Sequence, residues 1–300
     1  MQNNSKSIFY VALFFSMVAW GGSWVNAKVL SGYIDEFEMI FFRFGITAVT
    51  MIPIIFYLKK SFKIDLKSFG LVLLSAVVFI AYMKYFFLGT KYGTASLGGA
   101  FVTTLIPINT FIFLVVLGDK KITKKDIFAL VLGAIGVMSM LNVWEFNKEE
   151  ILVPQNLYFI IASILWPILT IISSKSTKIS PLVFTFYLYI VTVVFDLLFF
   201  VDLKALEYQK FDAVFYLNIA TISILATTFA NSIYFLGIER LGASEVSSFI
   251  FLVPISAIVL SAVFLKEHIS LSIIIGTVLT LIAIKILNDI KLNLFNKFRL

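Results

Sequence analysis

Long apolar stretches dominate the chain, and short groups of charged and turn-forming residues separate them. Each stretch is about 20 residues long, which is the length that an α-helix needs to cross the hydrocarbon core of a bilayer. The pattern predicts ten membrane helices, at 8–27, 37–58, 69–90, 95–117, 124–143, 155–174, 181–201, 212–237, 244–265 and 269–287. The connections are too short to hold a soluble catalytic domain, so we expect an all-α integral membrane protein.

The composition excludes a soluble fold. Hydrophobic residues make up 60% of the chain and charged residues only 14%, whereas a typical soluble domain has about 25% charged residues. A protein in water cannot cover this much apolar surface, but a surface that faces lipid can be apolar throughout. There is no Cys and a single His, His268, which argues against Cys-ligated and His-rich metal sites. We therefore predict neither a metal nor a cofactor.

Basic residues are concentrated in alternate connections, and this predicts the orientation of the helices. Lys residues cluster at 59–67 and 120–125, and basic residues recur in the C-terminal segment. Because cytoplasmic connections carry the excess of Lys and Arg, we predict that both termini are cytoplasmic, in an inner (plasma) membrane. The net charge of +7 then reflects topology, and no nucleic-acid partner is predicted. The first apolar stretch is longer than the core of a signal peptide, so we interpret it as a retained helix.

The two halves of the chain resemble each other. Gly237 follows Gly89 by 148 residues and Pro254 follows Pro107 by 147, with similar neighbours in both places. The pattern predicts two five-helix domains, 8–143 and 155–287. Because five is odd, the second copy must enter the membrane from the opposite side. The two copies would form an inverted repeat, as in many secondary transporters.

Several local motifs resemble those of a known family. They are Trp20-Gly21-Gly22-Ser23-Trp24 with Lys28, Arg43, the run from Ala95-Ser96 through Pro107 to Leu117-Gly118-Asp119 with Gly133 and Gly136, and its copy from Ala243 through Pro254 to Leu265-Lys266-Glu267 and Gly276. The chain resembles the EamA-like branch of the drug/metabolite transporter superfamily, which usually has Gly-Glu in place of Gly118-Asp119 and Lys266-Glu267. The resemblance implies a transporter fold with a central pathway between the halves. It implies no particular substrate among the amino acids, sugars, nucleotide derivatives and cations that the family carries.

Three charged residues, Arg43, Lys84 and Asp196, fall inside predicted helices near the same membrane face. A charge at the centre of a membrane helix costs about 2.5–3.5 kcal/mol on insertion scales, so these residues are functional candidates. One hypothesis is a cluster that lines an outward vestibule and attracts a carboxylate or phosphate. The alternative is that Arg43 and Lys84 extend towards the interface and that Asp196 pairs with one of them.

Prolines and tryptophans add further candidates. Pro107 and Pro254 lie near the middle of two corresponding helices, where a proline removes a backbone hydrogen bond. Such paired interruptions are typical of a transport site, with Asn109 as a nearby polar contact; a packing kink is the alternative. Trp20 and Trp166 either line an aromatic pocket or pack in the core. The complete set of predicted pathway residues is Trp20, Arg43, Tyr82, Lys84, Pro107, Asn109, Trp166, Asp196, Asn231, Tyr234 and Pro254.

The architecture and the resemblance together predict a secondary-active or facilitative carrier that moves a small metabolite across the cytoplasmic membrane by alternating access. The resemblance favours export of amino acids or related metabolites. The alternatives are cationic drugs, nucleotide or sugar derivatives, a channel, or a membrane protein without a transport role. No enzyme is predicted, because a membrane aspartyl protease needs two membrane carboxylates and only Asp196 lies well inside a predicted helix.

The predicted partners are a small solute and the lipid bilayer. Small residues such as Gly133, Gly136 and Gly276 allow close helix packing within a monomer or between the subunits of a homodimer. No Walker motif is present, so direct use of ATP is not expected. Glu239 and Glu245 at predicted helix ends are either candidates for proton coupling or hydrated end residues.

Overall fold

The computed structural model describes residues 2–142, 153–242, 246 and 248–287, with side chains described from Ile8 onwards except that of Ser248. Over these ranges the ordered elements are all helical and no strand is present, which confirms the all-α prediction. Glu245, the connection at 143–152 and the C-terminal segment from 288 lie outside the described residues.

Ten helices follow one another through the described ranges, as the apolar pattern predicts. They are α1 Gln2–Leu30, α2 Glu36–Tyr57, α3 Leu66–Tyr92, α4 Ala95–Val116, α5 Lys124–Met140, α6 Pro154–Ser174, α7 Pro181–Phe199, α8 Ala213–Leu241, α9 Phe249–Leu265 and α10 Leu271–Leu287. Seven of them, α1 to α4 and α6 to α8, are long and apolar enough to cross a membrane. The helices α9 and α10 are shorter but apolar, and α5 has 17 residues. The protein is a multi-pass membrane protein.

Hydrogen bonds between connections define two faces of the bundle. At the face where α1 ends, which we call the far face, the Tyr33 hydroxyl donates to Asp212 before α8 (2.9 Å). At the near face, where α1 begins, Lys60 after α2 forms an ion pair with Glu239 near the end of α8 (2.8 Å). Glu239 therefore has a structural partner at the surface.

Polar residues cap the helices where the apolar pattern is interrupted. The Asp35 carboxylate accepts from the backbone N–H groups of Phe37 and Glu38, and the Glu38 side chain accepts in return from the Asp35 N–H. Thr123 and Asp126 form the same kind of capping box at the start of α5. Such side chains satisfy backbone donors that have no partner within the helix, which is why the helices begin at these positions.

The helices of the two halves interleave. The most extensive packing joins α5 with α10, α3 with α6, α1 with α8 and α9, and α2 with α7. Each of these pairs takes one helix from the first half and one from the second. The largest fully buried side chains are Phe44, Phe87, Phe101, Phe111, Phe159 and Phe215. The centre of the molecule is thus an interface between the halves, while apolar side chains such as Phe15, Phe128 and Leu217 are exposed on the outside.

Glycines bring α5 and α10 into backbone contact. A Cβ atom added to Gly276 would lie 2.5 Å from the carbonyl oxygen of Gly136, and one added to Gly136 would lie 2.8 Å from the carbonyl oxygen of Gly276. Real Cβ atoms do not approach a backbone oxygen so closely, so both positions require glycine. These small residues therefore serve packing within the subunit.

Two helices depart from regular α geometry. In α8, residues Thr221–Phe229 are π-helical, and in α9 a 3₁₀ turn at Ser248–Phe251 precedes the α-helical residues Leu252–Leu260. Pro254 lies in α9 directly after this 3₁₀ turn, as the third residue of the α-helical part. The helix is therefore irregular at the predicted interruption.

Candidate functional site

A hydrogen-bonded chain crosses the interface between the halves. The Trp20 indole Nε1 of α1 donates to Asn231 Oδ1 of α8 (3.2 Å), and Asn231 Nδ2 donates to the Tyr189 hydroxyl of α7 (2.8 Å). Buried polar groups are costly unless they are paired, and this chain satisfies both ends of the Asn231 amide. It also fixes three helices relative to one another.

Arg43 of α2 lies beside this chain. Its Nε donates to Thr227 Oγ1 of α8 (3.1 Å), and its Cζ lies 5.2 Å and 6.0 Å from the ring centroids of Phe44 and Phe86. The residue is 9% exposed. No acidic side chain forms an ion pair with it within the ranges that the structure describes. Most of the five N–H donors of the guanidinium thus remain available to a ligand.

The π-helical segment of α8 positions the partner of Arg43. The Thr227 hydroxyl donates to the carbonyl of Ile222, five residues earlier (2.7 Å), while it accepts from Arg43. In the same segment the Ser223 carbonyl accepts from Thr47 of α2 (3.1 Å). A π-helical turn inside an α-helix frequently marks a functional site, and here it orients a hydroxyl towards a buried cation.

Aromatic rings surround these polar groups on both sides. Tyr82 of α3 lies 4.8 Å from Trp166 of α6, and Trp20 lies 5.1 Å from Tyr234 of α8, measured between ring centroids. Tyr189 stacks on Phe44 at 4.8 Å. We call Trp20, Arg43, Tyr189, Thr227 and Asn231 the polar centre, and the two Tyr–Trp pairs its aromatic walls.

The three charged residues do not form an ion-paired cluster. Lys84 of α3 is half-buried, and its Nζ lies 5.4 Å from the ring centroid of Phe37 near the far face. Asp196 of α7 is fully buried, and neither carboxylate oxygen has a hydrogen-bond partner. Pairing of Asp196 with Arg43 or Lys84, one of the two hypotheses above, is absent from the described residues. Arg43 instead donates to Thr227 of α8.

Asn109 and Pro254 are placed at helix contacts. The Asn109 side-chain amide of α4 donates to the carbonyl and hydroxyl oxygens of Ser163 of α6 (3.0 and 3.1 Å), two residues after Pro107 in the middle of α4. Next to Pro254, a Cβ atom on Gly21 of α1 would lie 2.9 Å from the Val253 carbonyl oxygen. These contacts hold α4 and α9 against the helices that carry Trp166 and Trp20.

The sequence reasoning missed Tyr189 and Thr227. A signal for Tyr189 was present, since it follows Arg43 by 146 residues, the same offset that separates Trp20 from Trp166. Nothing in the apolar pattern marks Thr227, because its orientation depends on the π-helical turn. Both residues join the predicted Trp20, Arg43 and Asn231 at the polar centre.

A second network ties four elements together at the far face. Lys28 Nζ of α1 donates to the carbonyls of Lys91 and Gly93 at the end of α3 (2.8 and 2.6 Å). The Glu267 carboxylate, in the connection after α9, accepts from the first two N–H groups of α4, those of Ala95 and Ser96 (2.8 and 2.9 Å). A carboxylate is favoured at a helix N-terminus by the helix dipole. We call these contacts the far-face network.

Comparison with known proteins identifies relatives. The sequence pattern of the EamA-like transporter family matches residues 7–142 and again residues 154–288. An uncharacterized transporter of Bacillus subtilis (strain 168), YyaM, is 24% identical over 264 residues, which are 85% of this chain and 85% of that protein. An S-adenosylmethionine uptake transporter of Rickettsia felis is 30% identical over 191 residues, which are 61% of this chain and 60% of that protein.

A solved crystal structure has the same fold. It superposes with a TM-score of 0.62 at 16% sequence identity, over 93% of this chain and 96% of the other. At this identity the similarity concerns the fold alone. The family pattern, in contrast, covers nearly the whole length in two segments. The chain therefore belongs to the EamA-like transporter family of the drug/metabolite transporter superfamily, and the protein is a membrane transporter.

Proposed function

We propose that the protein carries a small organic solute with a carboxylate group through the polar centre by alternating access. The observation that carries this proposal is Arg43, a nearly buried cation without an acidic partner in the described structure. Burying an unpaired charge is expensive, and a solute carboxylate would supply the missing partner. Arginine suits this role because its planar fork binds a carboxylate through two parallel hydrogen bonds.

The packing of the helices supports the inverted repeat that alternating access requires. If α1 to α5 of 8–143 correspond to α6 to α10 of 155–287, the α3–α6 contact has the α8–α1 contact as its counterpart. In the same way α4–α6 corresponds to α9–α1, and α3–α7 corresponds to α8–α2. Three further contacts, α2–α7, α4–α9 and α5–α10, map onto themselves. Two nearly equivalent packings would let the central site open to either face.

The far-face network supports a state of the transport cycle in which the far face is closed. It closes the far face by joining α1, α3, α4 and the connection after α9. The corresponding residues of the other half are Asp119, 148 residues before Glu267, and Lys175, 147 residues after Lys28. Both are exposed at the near face. We infer that they form the equivalent network when the near face closes, and that the two networks alternate. With the termini cytoplasmic, as the lysines predict, the near face is the cytoplasmic one.

The aromatic walls narrow the class of solute. The Tyr82–Trp166 and Trp20–Tyr234 pairs would pack against an apolar or aromatic body while Arg43 holds the carboxylate. Amino acids and related metabolites meet this description. A second candidate is S-adenosylmethionine, which the name of the Rickettsia felis relative suggests. It combines an amino-acid carboxylate with an adenine ring and a sulfonium cation that aromatic faces can attract.

Counterflow into proteoliposomes tests this function. Vesicles loaded with an unlabelled solute are given the same solute in labelled form, in separate assays for individual amino acids and for S-adenosylmethionine. A carrier produces saturable, transient accumulation of label, whereas a channel does not. Absence of counterflow with every carboxylate solute, in vesicles with correctly inserted protein, would reject the proposal.

Variants of two arginines test whether Arg43 binds the carboxylate of the solute. We expect Arg43→Met to reduce exchange about 10- to 100-fold, because a hydrogen bond to a charged group contributes about 1.5–3 kcal/mol. Arg240→Met is the matched control, since Arg240 is exposed at the near face with its Cζ 4.7 Å from the Phe9 ring centroid. Exchange by that variant should stay close to wild type. Equal effects of the two substitutions would remove Arg43 from the proposal.

A further inference from the structure

Asp196 is a buried acid that the proposed solute path does not use. It lies in the last turn of α7, near the far face, and has no accessible surface. Neither of its oxygens has a hydrogen-bond partner, and the Thr192 hydroxyl one turn earlier is equally buried and unpartnered. An ionised carboxylate needs either hydrogen-bond donors or a cation when it leaves water. Asp196 has neither.

The charged groups on the neighbouring helices do not neutralise it. Helix α7 packs against α2, α3 and α8. On α2, Arg43 is bonded to Thr227; on α3, Lys84 lies over the Phe37 ring. At the start of α8, Asp212 accepts hydrogen bonds from Tyr33 and from the Phe215 N–H.

Asp35, the capping residue of α2, is also an acid and lies at the same face. A buried carboxyl group that has neither a hydrogen-bond donor nor a cation is favoured in its neutral form.

We propose that Asp196 is a proton-binding site that controls the opening of the far face. Its carboxyl group carries a proton while the far face is closed, as in the present structure. When α2 and α7 separate at the far face, water reaches Asp196, the O–H bond breaks and the proton passes to that water, leaving a carboxylate. Closing the face again requires that a proton be taken up from the same side. This control rests on the proposed alternating access, because without it the buried acid would never meet water.

Infrared spectroscopy of the purified full-length protein tests the proton directly and without any solute. At neutral pH, the wild-type protein should show the carbonyl stretch of a protonated carboxyl group, and Asp196→Asn should lack it. Asp202→Asn is the matched control, because Asp202 is exposed at the same face and its substitution should leave the band in place. A spectrum that is the same with and without Asp196 would overturn the proposal.

Transport assays then test this control separately from carriage. With the same pH on both sides, wild type and Asp196→Asn should both exchange solute. Because opening releases one proton, raising the pH by one unit increases the ratio of open to closed far face by up to about tenfold, and Asp196→Asn should lose this pH dependence of exchange. If Asp196→Asn does not fold, Asp196→Glu provides the second test, since it should keep the pH dependence. Wild-type exchange that is unaffected by pH would overturn only the role of Asp196, whereas absence of exchange would reject the proposed function.

Discussion

Glu267 provides the sharpest test of how the far face is held closed. Its carboxylate accepts two backbone N–H groups at the start of α4 and interacts electrostatically with Lys28. Substitution by glutamine keeps the size and one acceptor oxygen but removes the charge and the second acceptor. Hydrogen bonds to a charged group contribute about 1.5–3 kcal/mol, and the partial exposure of Glu267 reduces this by screening. We expect Glu267→Gln to weaken closure by roughly 1–1.5 kcal/mol.

Thiol labelling measures this change, because the chain has no native Cys. Thr90 of α3 is fully buried two residues before the helix ends at the far face. A cysteine introduced at position 90 would react with a membrane-impermeant reagent only while that face is open. The labelling rate follows the population of the open state when opening is rapid. It should therefore rise about five- to tenfold in the Glu267→Gln background.

A charge change elsewhere on the same face is the control for this labelling. Glu207 forms an exposed ion pair with Lys210 at the far face, so Glu207→Gln should leave the labelling rate unchanged. The reasoning is refuted if Glu267→Gln labels at the wild-type rate, because the network would then not hold the face closed.

Two further predictions concern stability. Gly276→Ala should destabilise the protein by about 1–3 kcal/mol, as an overpacked helix contact does. The control is Gly45→Ala in α2, where a Cβ meets nothing within 4 Å, and which should not lower the melting temperature in detergent. Equal losses in the two variants would contradict the packing argument. The Phe215 N–H and then the Tyr33 hydroxyl hold the pKa of Asp212 below its ordinary value of 3.8. A lowered folded pKa stabilises at pH above the unfolded value and is lost as the pH falls through the folded one. Tyr33→Phe should thus have a lower melting temperature than wild type at neutral pH, and this difference should vanish in acid. A difference that stays the same at every pH would contradict stabilisation by the ionised Asp212 carboxylate.

The sequence predicts the helices well because the length of each apolar stretch determines where a membrane helix begins and ends. The predicted bounds of α2, α4 and α6 differ from those in the structure by one residue at most at either end. Capping groups such as Asp35 and Thr123 mark the breaks between apolar stretches with residues that prefer these positions. Trp20, Arg43 and Asn231 were found because polar or large aromatic residues are conspicuous within apolar helices.

The arrangement within the site is less accessible to sequence reasoning. Pairing of Asp196 with a cation was one of two hypotheses from the sequence, and the described structure does not contain it. The depth of a residue in the membrane does not fix its neighbours, because these depend on the rotation of each helix. The π-helical turn in α8 changes that rotation after Thr221 and turns Thr227 towards Arg43. Hydropathy does not register such a turn. Tyr189 was detectable only through its repeat offset from Arg43.

The most direct test of the central claim compares a transported acid with its carboxamide in wild type and in Arg43→Met. The account predicts that wild type prefers the acid by about 10- to 100-fold in half-saturating concentration, because the amide lacks the charge that Arg43 binds. Arg43→Met should treat the acid and the amide alike. An undiminished preference for the acid in Arg43→Met would contradict the account, since the carboxylate would then be recognised elsewhere.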